Sequence, residues 1–172
     1  MNIEYLLSLG SNLGDRLKNL ATALAELNKQ NISIVSTSNV YETSPVDCLD
    51  NSPAFLNAAV KIKTELKPSK LISIVLDTEI KIGRKRSSLN APRIIDIDLL
   101  LGGNLISNDE KIVLPHPRMH DRLFVLTPLR EIAAETIHPV LKKNISQIYS
   151  DAKKTSTEKI KIFAPSFSIL PV

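Results

Sequence analysis

The chain has 172 residues, is 43% hydrophobic and 4% aromatic, and sets 22 basic against 18 acidic residues for a formal charge of +4. That length suits one sizeable core rather than two, and the modest basic excess suits an anionic small molecule or nucleic acid without making the protein polybasic. Cys48 is the only cysteine, which excludes an intrachain disulfide and a cysteine-rich zinc site, so a reducing, cytoplasmic compartment is expected. Glu4 interrupts the N-terminal apolar stretch and no apolar run reaches the roughly 20 residues that cross a bilayer, so neither secretion nor membrane anchoring is expected.

Ile3, Tyr5, Leu7 and Leu9 alternate in a first strand ending at Gly10-Ser11-Asn12-Leu13-Gly14, after which Asp15 is placed to cap a helix. Leu17, Leu20, Leu24 and Leu27 then recur at helical spacing as far as Asn28 to Asn31. Period two resumes over Ile32, Ile34, Ser36, Ser38 and Val40, followed by a polar loop from Tyr41 to Pro53 and a strand from Phe55 to Lys63. Pro68 suits the first turn of a second helix whose apolar positions Leu71, Ile74, Val75, Thr78 and Ile82 run to Gly83, a residue suited to a left-handed cap. A basic loop, an aspartate-bearing strand, a Gly102-Gly103 turn and a short strand pair around Leu105 and Ile112 come next. Met119 to Ala134 reads as short helices, whereas Leu141 to Val172 is less patterned. The order strand, helix, strand, strand, helix, strand predicts an α+β, ferredoxin-like domain with a mainly antiparallel sheet packed between helices. Such a topology says little about function.

The most informative stretch is Arg93-Ile94-Ile95-Asp96-Ile97-Asp98-Leu99-Leu100-Leu101, a buried-looking strand that carries two carboxylates. Alternation puts Asp96 and Asp98 on one face, roughly 6.5 Å apart, with Ile95, Ile97 and Leu99 on the other. The plain reading is an exposed face of an edge strand. The neighbouring apolar residues favour a central strand ending in a cleft, where paired anions call for a cation, and oxygen-only ligands favour Mg²⁺.

Lys81, Arg84, Lys85, Arg86 and Arg93 fall within thirteen positions that hold no Asp or Glu. A solvated charge run explains Lys81 and Arg84, which also complement a helix C-terminus. It explains Arg93 poorly, because Pro92 directs that residue toward the start of the aspartate strand. Arg86 and Arg93 are suited to gripping phosphates in a loop that closes over nucleotide.

Pro115-His116-Pro117-Arg118-Met119-His120-Asp121-Arg122 holds its histidines in restricted backbone. A hydrogen-bonded spacer is the plain reading of His116, a phosphate contact the functional one, and Arg122 offers a further phosphate contact. His138 reads as structural. Gly10 to Gly14 lacks the lysine ending of a P-loop and reads as a tight turn. Tyr41 to Val46, with Phe55 and Asn57, offers an aromatic face and an amide for a flat heterocycle, although Phe55 is by default a core residue.

Leu9-Gly10-Ser11-Asn12-Leu13-Gly14-Asp15, Tyr41-Glu42-Thr43-Ser44-Pro45-Val46, Phe55-Leu56-Asn57, Gly83-Arg84-Lys85-Arg86, Pro92 through Asp98 and Leu114-Pro115-His116-Pro117-Arg118-Met119 stand in register. Over about residues 1 to 140 this resembles the 6-hydroxymethyl-7,8-dihydropterin pyrophosphokinase family. The resemblance implies transfer of the β,γ-pyrophosphoryl unit of ATP to the pterin hydroxymethyl oxygen in folate biosynthesis, releasing AMP. It implies two Mg²⁺ ions on Asp96 and Asp98, with Arg86, Arg93, Asp96 and Asp98 as the catalytic set. ATP contacts carry over to Glu79, Arg86, Arg93, Leu99, Lys111, His116 and Arg122, and pterin contacts to Thr43, Ser44, Val46, Phe55, Asn57 and Phe124.

The chain departs from that pattern in places. Phe55 stands where tyrosine is common, Leu89 and Asn90 where an Arg-Trp pair is common, Lys111 replaces an arginine and Val113 a threonine, and the basic loop is one residue shorter. Residues 1–145 are expected to form the pyrophosphokinase domain and 146–172 a C-terminal extension. ATP and the pterin are the expected partners of a monomer, with neither nucleic acid nor membrane, and fusion to or contact with neighbouring folate enzymes fits the family. The rivals are a noncatalytic ferredoxin-like RNA-binding or regulatory module, disfavoured by the scarcity of stacking aromatics, and another Mg²⁺-dependent nucleotide transferase.

Overall fold

β1 (Ile3–Ser11) runs between β4 (Phe55–Thr64) and β5 (Asp96–Gly102), antiparallel to both, at the centre of a six-stranded sheet. β2 (Ser33–Thr37) and β3 (Val40–Thr43) pair with β4 on its far side, and β8 (Ile160–Ala164) extends the sheet beyond β3. β6 (Ser107–Asp109) and β7 (Ile112–Leu114) form a separate hairpin. The computed structural model describes residues 2–45, 52–85, 91–109 and 111–170. This is a mixed α/β architecture with an antiparallel main sheet.

Every residue of β1 from Tyr5 to Ser11 is buried because helices cover both faces. On one side Leu7, Leu9, Val60 and Ile97 meet Leu20, Leu24 and Leu27 of α1 (Arg16–Asn28) and Leu71 and Val75 of α2 (Pro68–Ile82). On the other, Leu6, Ala59 and Leu100 meet Val125, Leu126 and Leu129 of α3 (Leu123–Ala133) and Ile145 and Ile148 of α4 (Ile145–Lys153). Alternation along each strand thus feeds two cores, and each fully buried leucine stabilises the fold by about 2 kcal/mol.

The helix ends follow local rules. Asp15 accepts the Lys18 amide at 3.1 Å, and Pro68 occupies the first turn of α2, where no amide is needed. Gly83 ends α2 at φ 108°, a left-handed conformation that glycine adopts without strain. No helix among the described residues is long and apolar enough to cross a membrane.

Four expectations require correction. The aspartate strand, expected to be central, is an edge of the sheet: among the described residues β5 pairs with β1 alone, and its apolar side chains are buried because helices cover both faces, not because strands flank it on both sides. Tyr41 to Thr43 belongs to β3 rather than to a loop, because β4 and β8 both pair with it. Leu105 lies outside the hairpin, whose first strand begins at Ser107. The unpatterned C-terminal segment contains α4 and β8. α4 shows little periodicity because it buries only Ile145 and Ile148, although its Asn144–Gln147 capping box is readable in the sequence. β8 is held by backbone pairing to an edge and leaves Ile162 and Phe163 exposed, so it carries no alternating pattern.

Candidate active site

A cleft of about 750 Å³ opens at the end of the sheet where β1 finishes and β4 and β5 begin. Its floor follows from strand register. Gly10 pairs with Asp96 on one side and with Asn57 on the other, so these three positions form a row across β5, β1 and β4. Neighbouring strands are about 4.8 Å apart, which sets the Asp96 and Asn57 backbones about 10 Å from each other. Gly10 leaves the middle of that row open. A Cβ there would stand 3.0 Å from Asn57 Oδ1 and 3.7 Å from Phe55 Cδ1.

The acidic wall is Asp96 and Asp98, side by side on one face of β5 and both lining the cleft. Arg84 Nη1 meets Asp96 Oδ1 at 2.6 Å and Arg93 Nη1 meets Oδ2 at 2.7 Å, so two guanidiniums grip one carboxylate. Burial, followed by the charge of Asp96, raises the pKa of Asp98 above the usual carboxylate range. Arg93 is held in place by Asn12, whose side-chain Oδ1 accepts the Arg93 backbone amide at 2.7 Å while the Asn12 backbone N–H donates to the Arg93 carbonyl at 3.1 Å.

Glu79 sits behind this wall on the buried face of α2. Its Oε1 accepts the Ile97 amide at 2.7 Å and also pairs with Arg84. Burial pushes Glu79 up to about 7, opposed by the Ile97 amide and Arg84. Glu79 therefore ties α2 to β5 and backs Arg84.

His116 lines the same cleft, as do Arg122, Leu99 and Lys111. The His116 amide donates to the Leu100 carbonyl at 2.9 Å, and Nδ1 accepts the Arg118 amide at 3.2 Å. Burial, then the Arg122 and Arg118 charges, lowers its pKa to about 4. A neutral ring that accepts at Nδ1 carries its proton on Nε2, so His116 is a neutral donor at pH 7.

The rest of the lining comes from two places, Thr43, Ser44, Phe55 and Asn57 at β3 and β4, and Phe124 at the start of α3. Asn57 Nδ2 donates to Thr43 Oγ1 at 2.7 Å, which fixes the amide's orientation. The Arg122 guanidinium lies 5.5 Å from the centroid of the Phe124 ring.

The cleft thus gathers Glu79, Arg93, Asp96, Asp98, Leu99, Lys111, His116 and Arg122 with Thr43, Ser44, Phe55, Asn57 and Phe124. Val46 and Arg86 lie outside the described residues, as do Cys48, Leu89 and Asn90. Two residues were read too plainly from sequence. Arg84, explained as a helix-end charge, bridges Glu79 and Asp96, and Asn12, explained as part of a turn, clasps Arg93. Lys81 pairs with Glu26 of α1, in keeping with its structural reading. No local signal distinguishes Arg84 from Lys81, because only packing brings Asp96 within reach.

Among the described residues no cluster of three or more His, Cys, Asp and Glu side chains stands where it could hold a metal. Two adjacent carboxylates are nevertheless the donor set suited to Mg²⁺, which binds through one or two carboxylates together with substrate phosphates. Asp98, raised by burial and then by its neighbour's charge, and Asp96, gripped by two arginines, both show the demand for positive charge at this position.

The family model for 7,8-dihydro-6-hydroxymethylpterin-pyrophosphokinase matches residues 6–134. The 2-amino-4-hydroxy-6-hydroxymethyldihydropteridine pyrophosphokinase of Bacillus subtilis is 42% identical over 135 residues, covering 78% of this chain and 80% of its own length. The folic acid synthesis protein fol1 of Pneumocystis carinii is 38% identical over 148 residues, covering 86% of this chain but only 20% of its own length. The chain thus spans about a fifth of that larger relative. Among solved structures, Plasmodium falciparum HPPK-DHPS crystallised with STZ-DHP superposes with a TM-score of 0.72 at 18% identity, over 88% of this chain and 43% of that one, and so shares the fold. With the motifs in register along one cleft and the family model spanning most of its length, the chain belongs to the 7,8-dihydro-6-hydroxymethylpterin-pyrophosphokinase family.

Proposed function

We propose that this chain transfers the β,γ-pyrophosphoryl group of ATP to the hydroxymethyl oxygen of 6-hydroxymethyl-7,8-dihydropterin, releasing AMP, as a step of folate synthesis. The observation that carries the reading is the row Asp96, Gly10, Asn57, in which an acidic, arginine-flanked wall faces an amide-and-aromatic wall across a residue with no side chain. A triphosphate fits the first wall and a flat heterocycle the second, and the opening between them is the place for their reacting ends to meet.

In this reading Phe55 and Phe124 face the pterin ring while Asn57 and Thr43 pair with its edge, with Ser44 and Val46 completing that side. Arg93, Arg86, Arg122, Lys111 and the neutral His116 hold the triphosphate, and Leu99 and Glu79 line the nucleotide side. Asp96 and Asp98 would hold two Mg²⁺ ions. Mg²⁺ bound there neutralises phosphate charge and helps align the β-phosphorus with the hydroxyl. The hydroxyl oxygen bonds to the β-phosphorus as its bridge to the α-phosphate breaks, and the proton leaves to solvent. A loose transition state of this kind needs little early proton removal, so positioning and charge stabilisation dominate.

The strand order, with β1 between β4 and β5 and the two helices crossing one face, supports a ferredoxin-like description. Residues 1–145 form the pyrophosphokinase domain and 146–172 its extension, which adds β8 to the same sheet. On the same reading the protein acts in the cytoplasm as a monomer on two small-molecule substrates, without nucleic acid or membrane. Its family offers fusion or contact with neighbouring folate enzymes. Incubation with ATP, Mg²⁺ and hydroxymethyldihydropterin, followed by chromatography of the nucleotides, tests the assignment. AMP is expected, and ADP as the sole product would replace it with ordinary kinase chemistry.

A further inference from the structure

The N-terminus of α3 carries two cleft residues, Arg122 and Phe124, and has no cap of its own. Arg122 stands at the cap position and its side chain makes no capping bond. The acceptor comes instead from Glu158. One carboxylate oxygen takes the Leu123 amide at 3.1 Å and the other takes the Phe124 amide at 2.8 Å. Both oxygens therefore serve the first turn, and the negative charge lies at the positive end of the helix.

The next residue reaches Ser44, at the end of β3. The Lys159 carbonyl accepts the Ser44 amide at 3.2 Å, and the Lys159 amide donates to Ser44 Oγ at 3.4 Å. Ile160 then pairs with Thr43 as β8 begins. Two consecutive residues thus link the Phe124 side of the pocket to its Thr43–Ser44 side. They belong to the C-terminal extension, beyond the segment that matches the family model.

Resting on the functional reading above, we propose that Glu158 is a positioning residue for the acceptor: by clamping the Leu123 and Phe124 amides while Lys159 holds Ser44, it sets the spacing of the pocket walls that receive the pterin. Glu158 acts through the backbone of α3, not on substrate. Loss of the clamp frees the first turn of α3, so the Phe124 ring and the Arg122 guanidinium above it lose their fixed place relative to Thr43 and Asn57. Displacements of an ångström or less in positioning groups are enough to slow a reaction.

The test compares the unaltered full chain with Glu158→Ala, Glu158→Gln and Asn144→Ala. Asn144→Ala removes the cap of α4 and serves as a control for loss of a helix cap away from the cleft. Glu158→Ala is expected to raise the pterin KM about fivefold or more and the ATP KM by clearly less, because Phe124 and Ser44 both belong to the acceptor pocket whereas Arg122 is one of several triphosphate contacts. Glu158→Gln keeps one acceptor oxygen and should fall between. Asn144→Ala should lose similar thermal stability with its pterin KM unchanged. An unchanged pterin KM in Glu158→Ala, or the same rise in Asn144→Ala, would overturn the proposal. If the unaltered protein formed no AMP, the functional reading would fail by itself. The clamp is then judged by amide exchange at Leu123 and Phe124, which must quicken in Glu158→Ala and not in Asn144→Ala.

Discussion

Arg84 Nη1 lies 2.6 Å from Asp96 Oδ1 and pairs at the same time with Glu79, so one guanidinium joins the end of α2 to the first residue of β5. Arg93 approaches the second oxygen of Asp96 from the other side. The carboxylate proposed above to hold a divalent cation is therefore held by two guanidiniums. Nucleotide with Mg²⁺ would offer these arginines new partners and relieve Asp96 of them.

Asp96→Ala should lower AMP formation by about 10³-fold or more with the fold intact, since Asp96 is half-buried at a strand end and outside both cores. Nucleotide chromatography and circular dichroism check the two halves of that expectation. Near-normal AMP release would remove Asp96 from the metal site.

Lysine at position 84 or 93 keeps the charge but loses the planar fork. Arg84→Lys and Arg93→Lys should each reduce turnover by about a hundredfold while changing ATP affinity far less. Steady-state kinetics beside equilibrium nucleotide binding separates the effects, and equal losses in both would assign these arginines to ground-state binding. The same comparison applies to Arg86.

Gly10→Ala tests the opening between the two walls. The added methyl would stand 3.0 Å from Asn57 Oδ1, so the Asn57 amide, which also donates to Thr43 at 2.7 Å, must give by a few tenths of an ångström. Pterin affinity should fall about tenfold with ATP affinity retained. Calorimetric titration with each substrate measures this, and unaltered pterin binding would mean that Asn57 does not orient the acceptor.

Glu79 and His116 make the stability of the substrate-free protein depend on pH in opposite directions. Glu79 is raised from 4.5 to about 7, so between these values the folded state holds more protons than the unfolded one, and stability falls as pH rises. His116 is lowered from 6.5 to about 4, so its contribution is complete above 6.5 and lost as pH falls toward 4. In urea titrations, Glu79→Gln should therefore gain on the unaltered protein as pH rises from 4.5 to 7, and His116→Gln should gain on it as pH falls from 6.5 to 4. A difference independent of pH in either variant would contradict the assigned cause.

Much of the framework is legible residue by residue. Asp15, Pro68 and Gly83 mark helix ends because capping and backbone preference act within a few residues. Alternation alone puts Asp96 and Asp98 on one face of β5. Tyr41 to Thr43 and β8 escaped such reading because their order comes from strands distant in the chain, and Pro45 nearby made a loop the simpler local description. Arg84 and Lys81 look alike in sequence, yet one faces Asp96 and the other Glu26.

The amino-acid order by itself determined where α1 and α2 begin and end, which strand carries the paired carboxylates, and which family the motifs resemble, because these depend on short-range geometry and spacing. Only the tertiary structure decided that Gly10 separates Asp96 from Asn57, that Asn12 clasps Arg93, and that Glu158 caps α3 from 35 residues away. Those relations arise when antiparallel register and two-sided packing close the chain on itself, and no local preference encodes which distant partner arrives.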